Sequence, residues 1–291
     1  MRIVCEPLAQ PATMSIRVHR GGGADAPSFF AGPSLVFGNV WKHTTLTNHM
    51  IKKDIKLAYH GTFLGYIWTM LEPLLFTVIL YAVFVILRGA SDPHLPLKVM
   101  LGILFYGCFS KVMGMCTTAL VQNTSLINQV YFPREIFHIS ITGYQVYRLL
   151  MSLFIVVPMM IWFNIMPSIL TLLLVPAALG MTMLALGLGM IASILQVRIR
   201  DISQLVAVLL RAGFFISGVF YGAEHVPPEW VGIHLMNPVA VFIEMARAAI
   251  FSDLGVLELH HIITALSVSF IAMLFGMAFF KRYEAGVVKY L

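Results

Sequence analysis

Four charged residues interrupt long apolar stretches of this 291-residue chain: Glu72, Lys111, Arg148 and Arg211. Charge inside such a stretch is costly, so each residue is expected to face a partner or a polar cavity and is treated first as a functional candidate. With a helix rise of about 1.5 Å per residue, all four fall at a similar depth, about 15 Å from one end of their segments. The sequence permits an ion pair between Glu72 and either Arg148 or Arg211.

The composition indicates which kind of element positions these charges. Hydrophobic residues make up 59% of the chain and charged residues only 11%, whereas soluble domains carry about 25% charged residues. Several uninterrupted apolar runs reach the roughly 20 residues that a helix needs to cross a bilayer. A membrane β-barrel would instead show short segments of alternating hydrophobicity. The sequence therefore predicts an all-α polytopic membrane protein.

The apolar pattern predicts six transmembrane helices. Two shorter helices are expected before the last of them, beginning at Pro228 and Pro238, because proline is favoured at the first helical position and Asn237 is a good N-cap. Both are too short to span, which favours two re-entrant extracytoplasmic helices. The six predicted spans are Thr62–Leu87, Leu97–Val121, Ile136–Phe163, Ser168–Leu195, Ile202–Tyr221 and His261–Phe280.

Lysine and arginine placement predicts the orientation. These residues concentrate in the segments on the same side as both termini, and the opposite side carries Arg88, Lys98 and Arg247. Cytoplasmic segments are the ones enriched in lysine and arginine. Both termini are therefore expected in the cytoplasm, with the chain in the cytoplasmic (inner) membrane. The net charge of +6 is explained by this topology and does not require a nucleic-acid partner.

Three regions follow from this pattern. Residues 1–38 are an N-terminal extension rich in Gly, Pro and Ser, which we expect to be disordered. Residues 39–60 are expected to form an amphipathic cytoplasmic interfacial helix, and residues 61–291 the six-span membrane domain.

The interfacial helix has two distinct faces when plotted at 100° per residue. Lys52, Lys53 and Lys56 fall on one face, and apolar residues including Ile51 and Tyr59 on another. Such a helix is suited to lie along the headgroup surface with its cations on lipid phosphates. The alternative is an ordinary basic flank that only fixes orientation.

The sequence also lacks the patterns of several enzyme classes. It contains no GxxxxGK[ST] phosphate loop, HExxH or GxSxG motif, and its three cysteines and ten histidines show no metal-ligand spacing. We therefore expect no catalytic residue, metal or cofactor in this chain, and any work done across the membrane must draw on a partner or an ion gradient.

Four runs of residues together resemble one family. They are KKDIKLAYHGTFLGYIWTMLEPLL, NQVYFPREIF, VRIRDISQLVAVLLRAGFFISGVFY and HVPPEWVGIHLMNPVAVFIEMARAAIF. In order and in topology they resemble the membrane subunit (permease) of ABC transporters that export O-antigen, capsule and teichoic-acid polysaccharides. The resemblance covers about residues 40–285.

The resemblance implies a homodimer of this permease that works with two copies of a separate ATPase subunit, which would hold ATP-Mg. A channel would run between the two permease copies. The cytoplasmic gate and headgroup contact would be Lys52, Lys53, Lys56 and Tyr59.

The first cytoplasmic loop would dock on the ATPase, according to the same resemblance. Pro133 can begin a short helix there, and Glu135 favours its first turn. The alternative is a simple turn between two spans. The predicted coupling residues are Phe132, Pro133, Arg134 and Glu135.

Aromatic residues form stripes on the first and fifth predicted spans. Aromatic rings offer flat apolar faces to sugar C–H groups, so the stripes are predicted to line the channel. The alternative is that they pack between helices or form interfacial belts. The predicted channel-lining residues are Phe63, Tyr66, Tyr81, Phe84, Phe214 and Tyr221.

These observations together favour a permease subunit that exports a lipid-linked polysaccharide, with membrane lipids and the lipid-linked glycan as its non-protein partners. The surplus of intramembrane cations would then help a diphosphate headgroup past mid-membrane. One alternative is a permease for a drug or small amphiphile. A membrane-bound lipid-linked transferase or a gradient-driven carrier would need acid–base residues or internal repeats that the sequence does not show.

Overall fold

The computed structural model describes residues 29–89, 92–129 and 133–287, and its regular elements within these ranges are all helical. Short 3₁₀ turns precede α1, α3 and α8 and follow α9. The α-helices are α1 Gly32–Lys42, α2 Thr44–Tyr59, α3 Trp68–Arg88, α4 Leu95–Gln122, α5 Thr124–Gln129, α6 Glu135–Leu153, α7 Val156–Trp162, α8 Leu174–Arg198, α9 Ile202–Ile216, α10 Pro228–Leu235, α11 Pro238–Phe251 and α12 Leu259–Val287.

Within the described residues, five stretches of helix are long and apolar enough to cross a bilayer. A sixth span is reached if α10 and α11, which meet at an angle of 102°, count as one bent span. The prediction of an all-α polytopic membrane protein is therefore confirmed. The re-entrant placement of α10 and α11 stays a prediction. The five stretches are Gly65–Ile86, Leu95–Gln122, Glu135–Trp162, Ile169–Arg198 and Leu259–Glu284.

The predicted fifth span is shorter than the sequence suggested. Helix α9 has 15 residues and ends at Ile216, whereas the apolar run continues to Tyr221. The chain leaves the helix at Gly218, whose φ of +68° lies in the left-handed region that favours glycine. Hydrophobicity alone did not reveal this backbone break.

Helix α8 is the centre of the bundle and packs against both α4 and α12. At the α8–α12 crossing, a Cβ added to Gly187 would overlap the backbone of Ala272, and one added to Gly276 would overlap the backbone of Gly187. Small residues at such a crossing let two backbones approach closely, which is how membrane helices gain packing energy in the absence of a hydrophobic driving force.

Helices α3 and α9 lie at the periphery. Of the residues of α9, only Val206 is buried, and both helices expose large apolar side chains such as Phe76, Ile79 and Val208. The most closely packed helices are therefore α4, α8 and α12, with α6 and α11 packed on them, while α3 and α9 present apolar surface to their surroundings.

Helices α1 and α2 form an N-terminal arm that wraps around the base of the bundle. Helix α1 packs on α12 and α2 packs on α6, where a Cβ added to Gly143 would lie 2.6 Å from Cδ1 of Ile51. The apolar face of α2 is thus in contact with protein at Ile51. The predicted boundary at residue 38 falls within α1, and residues 1–28 lie outside the described residues.

Candidate functional site

The four intramembrane charges line one cavity. It has a volume of about 660 Å³ and lies between α3, α4, α6 and α9, each of which contributes one charge: Glu72, Lys111, Arg148 and Arg211. The four charged residues, which the sequence placed at a similar depth, lie close together in the structure because their helices surround the same cavity.

Glu72 is shared by two cations. Its Oε1 accepts a hydrogen bond from Lys111 Nζ at 3.0 Å, and its Oε2 accepts one from Arg148 Nη2 at 2.9 Å. Of the two pairs that the sequence permitted, the structure contains the one with Arg148; Lys111 is the second partner. Within the described part of the chain, Arg211 makes no ion pair.

A proline beside Glu72 leaves a backbone acceptor that a neighbouring helix satisfies. Pro73 lies inside α3 and has no N–H to donate to the carbonyl of Thr69, one turn earlier. The hydroxyl of Ser152 in α6 donates to that carbonyl at 2.9 Å. Because an unsatisfied carbonyl is expensive in an apolar region, this bond joins α3 to α6 at the level of the cavity.

Neighbouring aromatic rings form a row, the aromatic file, which extends from the cavity towards the loop after α9. Phe214 lies 6.0 Å from Phe76, 5.5 Å from Tyr106 and 6.0 Å from Phe220 between ring centroids, and Phe220 lies 5.6 Å from Phe84. Phe84 and Phe220 also line a second cavity of about 300 Å³, together with Tyr221, His225, Val226 and Pro227. Adjacent rings therefore connect the two cavities.

The structure brings only some of the predicted aromatic residues into this file. Phe84, Phe214 and Tyr221 line one of the two cavities. Phe63 is fully exposed, and Tyr66 packs on Tyr59 at 4.9 Å. Tyr81 is half-buried and does not line either cavity.

Sequence reasoning also missed members of the file. Phe220 escaped the helical plot because it lies beyond the end of α9, where a period of 3.6 residues no longer applies. Phe76 and Phe215 lie off the predicted stripes yet line the larger cavity. A search for aromatic density around Gly218 would have found Phe220.

Helix α2, the lysine helix, is linked to the larger cavity through its last residue, Tyr59. Lys52, Lys53 and Lys56 are exposed, as a headgroup contact requires. At the end of α2, the hydroxyl of Thr69 donates to that of Tyr59, and Thr69 lines the larger cavity. The basic surface and the charged cavity are therefore joined through one hydrogen bond.

The predicted ATPase-contact segment is tied into the bundle at its end. Phe132 lies outside the described residues. Glu135 is fully buried and its Oε1 accepts from Asn39 of α1 at 2.8 Å and from Lys281 of α12 at 2.9 Å. Arg134 donates to the carbonyl of Glu284 at 3.1 Å. The side chain of Glu135 thus lacks the exposure that a docking contact requires, because it fastens the start of α6 to two other helices.

Arg247 is the residue whose role sequence reasoning underestimated. The expected pair with Glu244 is present at 2.8 Å, but the buried guanidinium also donates to four backbone carbonyls. These are the carbonyls of Gly218 (2.8 Å), Val219 (2.9 Å), Tyr221 (2.8 Å) and Lys98 (3.3 Å). The sequence signal for this role was the presence of an arginine in an apolar helix that is too short to span the bilayer. Arg247 holds the irregular segment after α9 in place.

An ionic cluster joins the same segment to the start of α4. Lys98 Nζ lies 3.1 Å from Asp92 and 3.0 Å from Glu224. Burial alone would raise the pKa of Glu224, but the hydrogen bond and charge of Lys98 outweigh it and hold that pKa below its usual value. The carboxylate is therefore ionised near neutral pH and pairs with Lys98.

A bundle of membrane-length helices around a charged cavity and a file of aromatic rings is the architecture of a polytopic membrane transport protein. Residues 45–251 match the family model described as ABC-2 type transporter, and the chain belongs to that family. It is a multi-pass transport protein and not an enzyme.

Several curated relatives align with most of this chain. It is 24% identical to the O-antigen export system permease protein RfbA of Klebsiella pneumoniae, over 79% of this chain and 88% of that protein. It is 22% identical to the protein of the same name from Myxococcus xanthus, over 65% of this chain and 73% of that protein. The polysialic acid transport protein KpsM of Escherichia coli is 21% identical over 81% of this chain and 92% of its own length.

Proposed function

We propose that this chain is the permease subunit of an ATP-driven exporter that moves a lipid-linked polysaccharide across the cytoplasmic membrane. The family match and the relatives named for O-antigen export and polysialic acid transport support this function. The observation in the structure that supports it best is the file of aromatic rings between the two cavities.

The aromatic file suits a long glycan better than a compact solute. Successive rings offer repeated apolar contacts to sugar C–H groups without a single deep minimum, which favours sliding over tight docking. A charged cavity at one end and an aromatic one at the other also match a cargo with an anionic headgroup and a sugar chain.

The proposal includes the assembly and its orientation. Two copies of the permease work with two copies of an ABC ATPase, which binds ATP-Mg, and both termini lie in the cytoplasm. The exposed apolar faces of α3 and α9 are consistent with a channel between two permease copies. The loop that ends at Glu135 contacts the ATPase through residues before Glu135.

Deleting the gene tests the proposal. We expect finished glycan to accumulate on its lipid carrier inside the cell and to disappear from the surface, with recovery on complementation. Unchanged surface glycan would refute the polysaccharide assignment. ATPase activity of the complex that responds to short amphiphiles and not to glycan would favour the drug-permease alternative.

The lysine helix provides a residue-level test of the entry step. Replacing Lys52, Lys53 and Lys56 together with Gln removes three exposed cations that we expect to hold lipid phosphates, each contributing about 1 kcal/mol near an anionic surface. Surface glycan should fall while the permease and its ATPase still co-purify. Full export by this triple variant would exclude the headgroup contact.

A further inference from the structure

The cavity between α3, α4, α6 and α9 carries more positive than negative charge, and we infer that it is a subsite for a diphosphate carried on a lipid tail. This inference rests on the proposed function and names the chemistry of the headgroup that this cavity accepts. The described residues that carry the charge are Glu72, Lys111, Arg148 and Arg211.

The positive and negative charges that line the cavity do not balance. Three cations face one carboxylate, which leaves two positive charges in excess around about 660 Å³. The same cavity in a second copy of the chain would carry the same surplus. Charges within membrane-spanning helices pair with a partner or face a water-filled cavity, and a ligand with two or more negative charges would neutralise this surplus.

The cations retain hydrogen-bond donors for such a ligand. Lys111 donates once to Glu72, Arg148 uses Nη2 for the same carboxylate, and Arg211 donates to no group in the described part of the chain. The side chain of Lys111 is 40% exposed and that of Glu72 57%. Guanidinium and ammonium groups bind phosphate oxygens through short, charge-assisted hydrogen bonds.

Most of the remaining lining is apolar, although Thr69, Ser110, Gln145 and Ser152 also contribute to it. Pro73, Phe76, Leu104 and Phe215 provide apolar wall between the charges, and the outer faces of α3 and α9 continue this apolar surface. A headgroup in the cavity would therefore leave a lipid tail against apolar side chains. An inorganic anion would gain nothing from these walls.

Glu72 gives the site a second property that transport requires. A passing ligand must bind well enough to enter and weakly enough to leave. By occupying Lys111 and Arg148, the carboxylate competes with the phosphate oxygens and limits their affinity. Removing Glu72 should thus strengthen anion binding, whereas removing Arg211 should weaken it.

These opposite signs define the experiment. The purified full chain in nanodiscs is titrated with farnesyl diphosphate, farnesyl monophosphate, farnesol and inorganic pyrophosphate, and Kd is measured by calorimetry. Arg211→Gln should raise the Kd for farnesyl diphosphate about tenfold, which corresponds to one charge-assisted hydrogen bond. Glu72→Gln should lower it, Arg211→Lys should stay near the parent, and Arg200→Gln, an exposed arginine outside the cavity, should change nothing.

The remaining probes identify the ligand. Farnesyl diphosphate should bind more tightly than the monophosphate, and farnesol and pyrophosphate should bind weakly. Equal affinity for pyrophosphate and farnesyl diphosphate would overturn the lipid part of the inference. An unchanged Kd in both Arg211→Gln and Glu72→Gln would overturn the site itself. If deletion of the gene abolishes surface glycan while these Kd values do not move, the proposed function stands and this inference alone fails.

Discussion

Replacing Arg247 with Met should destabilise the protein more than almost any other single change at the end of the bundle where α10 and α11 lie. The guanidinium donates to Glu244 and to the backbone carbonyls of Gly218, Val219, Tyr221 and Lys98, and its side chain is only 6% exposed. Methionine has a similar length and fills part of the same space, but it donates no hydrogen bond.

The expected magnitude follows from what the substitution leaves behind. Truncating one partner of a buried ion pair costs about 3 to 5 kcal/mol, because the other charge stays buried without compensation. The freed carbonyls add to this cost, although Glu244 keeps one donor, the backbone N–H of Ala223 at 3.0 Å. For a chain of this size we expect an apparent Tm lower by on the order of 10 °C.

Thermal unfolding of the detergent-purified protein, followed by tryptophan fluorescence, measures this shift. Arg247→Lys should recover only part of the loss, since an ammonium cannot reproduce the spread of guanidinium donors over several carbonyls. Arg200→Met is the matched control, because Arg200 is exposed. If Arg247→Met and Arg200→Met unfold at the same temperature, the reasoning about the segment after α9 is wrong.

Three further changes test other contacts. Gly102→Ala should cost about 1 to 3 kcal/mol, since its Cβ would overlap the carbonyl of Val219 in the segment after α9. Gly107→Ala in the same helix meets nothing within 4 Å and should leave stability unchanged or raise it slightly in the same thermal assay, because alanine is the better helix former. Glu135→Ala should lower stability by about 1 to 3 kcal/mol, because it frees Nδ2 of Asn39 and leaves Lys281 paired only with Glu284. Adding Lys281→Met should lower stability further, because Glu284 then loses its cation; recovery in the double variant would argue against this network. The pKa of Glu224 is lower in the folded protein than in the unfolded chain, so its ion pair stabilises the fold fully above the unfolded-state pKa and loses this effect as pH falls through the folded-state pKa. Glu224→Gln should therefore lose less stability than the parent protein when the pH is lowered below about 4.5. Identical dependence of stability on pH in the two proteins would refute a contribution of the Glu224 carboxylate.

The properties that could be predicted from the sequence are those that follow from residue type and from position along the chain. Apolar runs located the long helices, and counting residues along them placed Glu72, Lys111, Arg148 and Arg211 at one depth, so that a shared cavity needed only adjacent helices. The identity of the neighbours was not available in the same way. Lys111 became a partner of Glu72 because α4 packs beside α3.

Properties that depend on distant contacts could not be predicted. The end of α9 is held by Arg247, 29 residues after Gly218, and this contact leaves no trace in local hydrophobicity. The burial of Glu135 required α1 and α12 to converge on the start of α6. The local sequence placed Glu135 at the end of a loop, but in the structure its side chain is enclosed by helices α1 and α12.

The shortness of α9 has a consequence for the lipid around it. Fifteen residues rise about 22 Å, whereas the hydrocarbon core of a bilayer is about 30 Å thick. Helix α9 therefore falls about 8 Å short of the hydrocarbon core of the lipid beside it. This hydrophobic mismatch makes the edge of the protein along α9 the place where the bilayer must thin or be replaced by another protein surface.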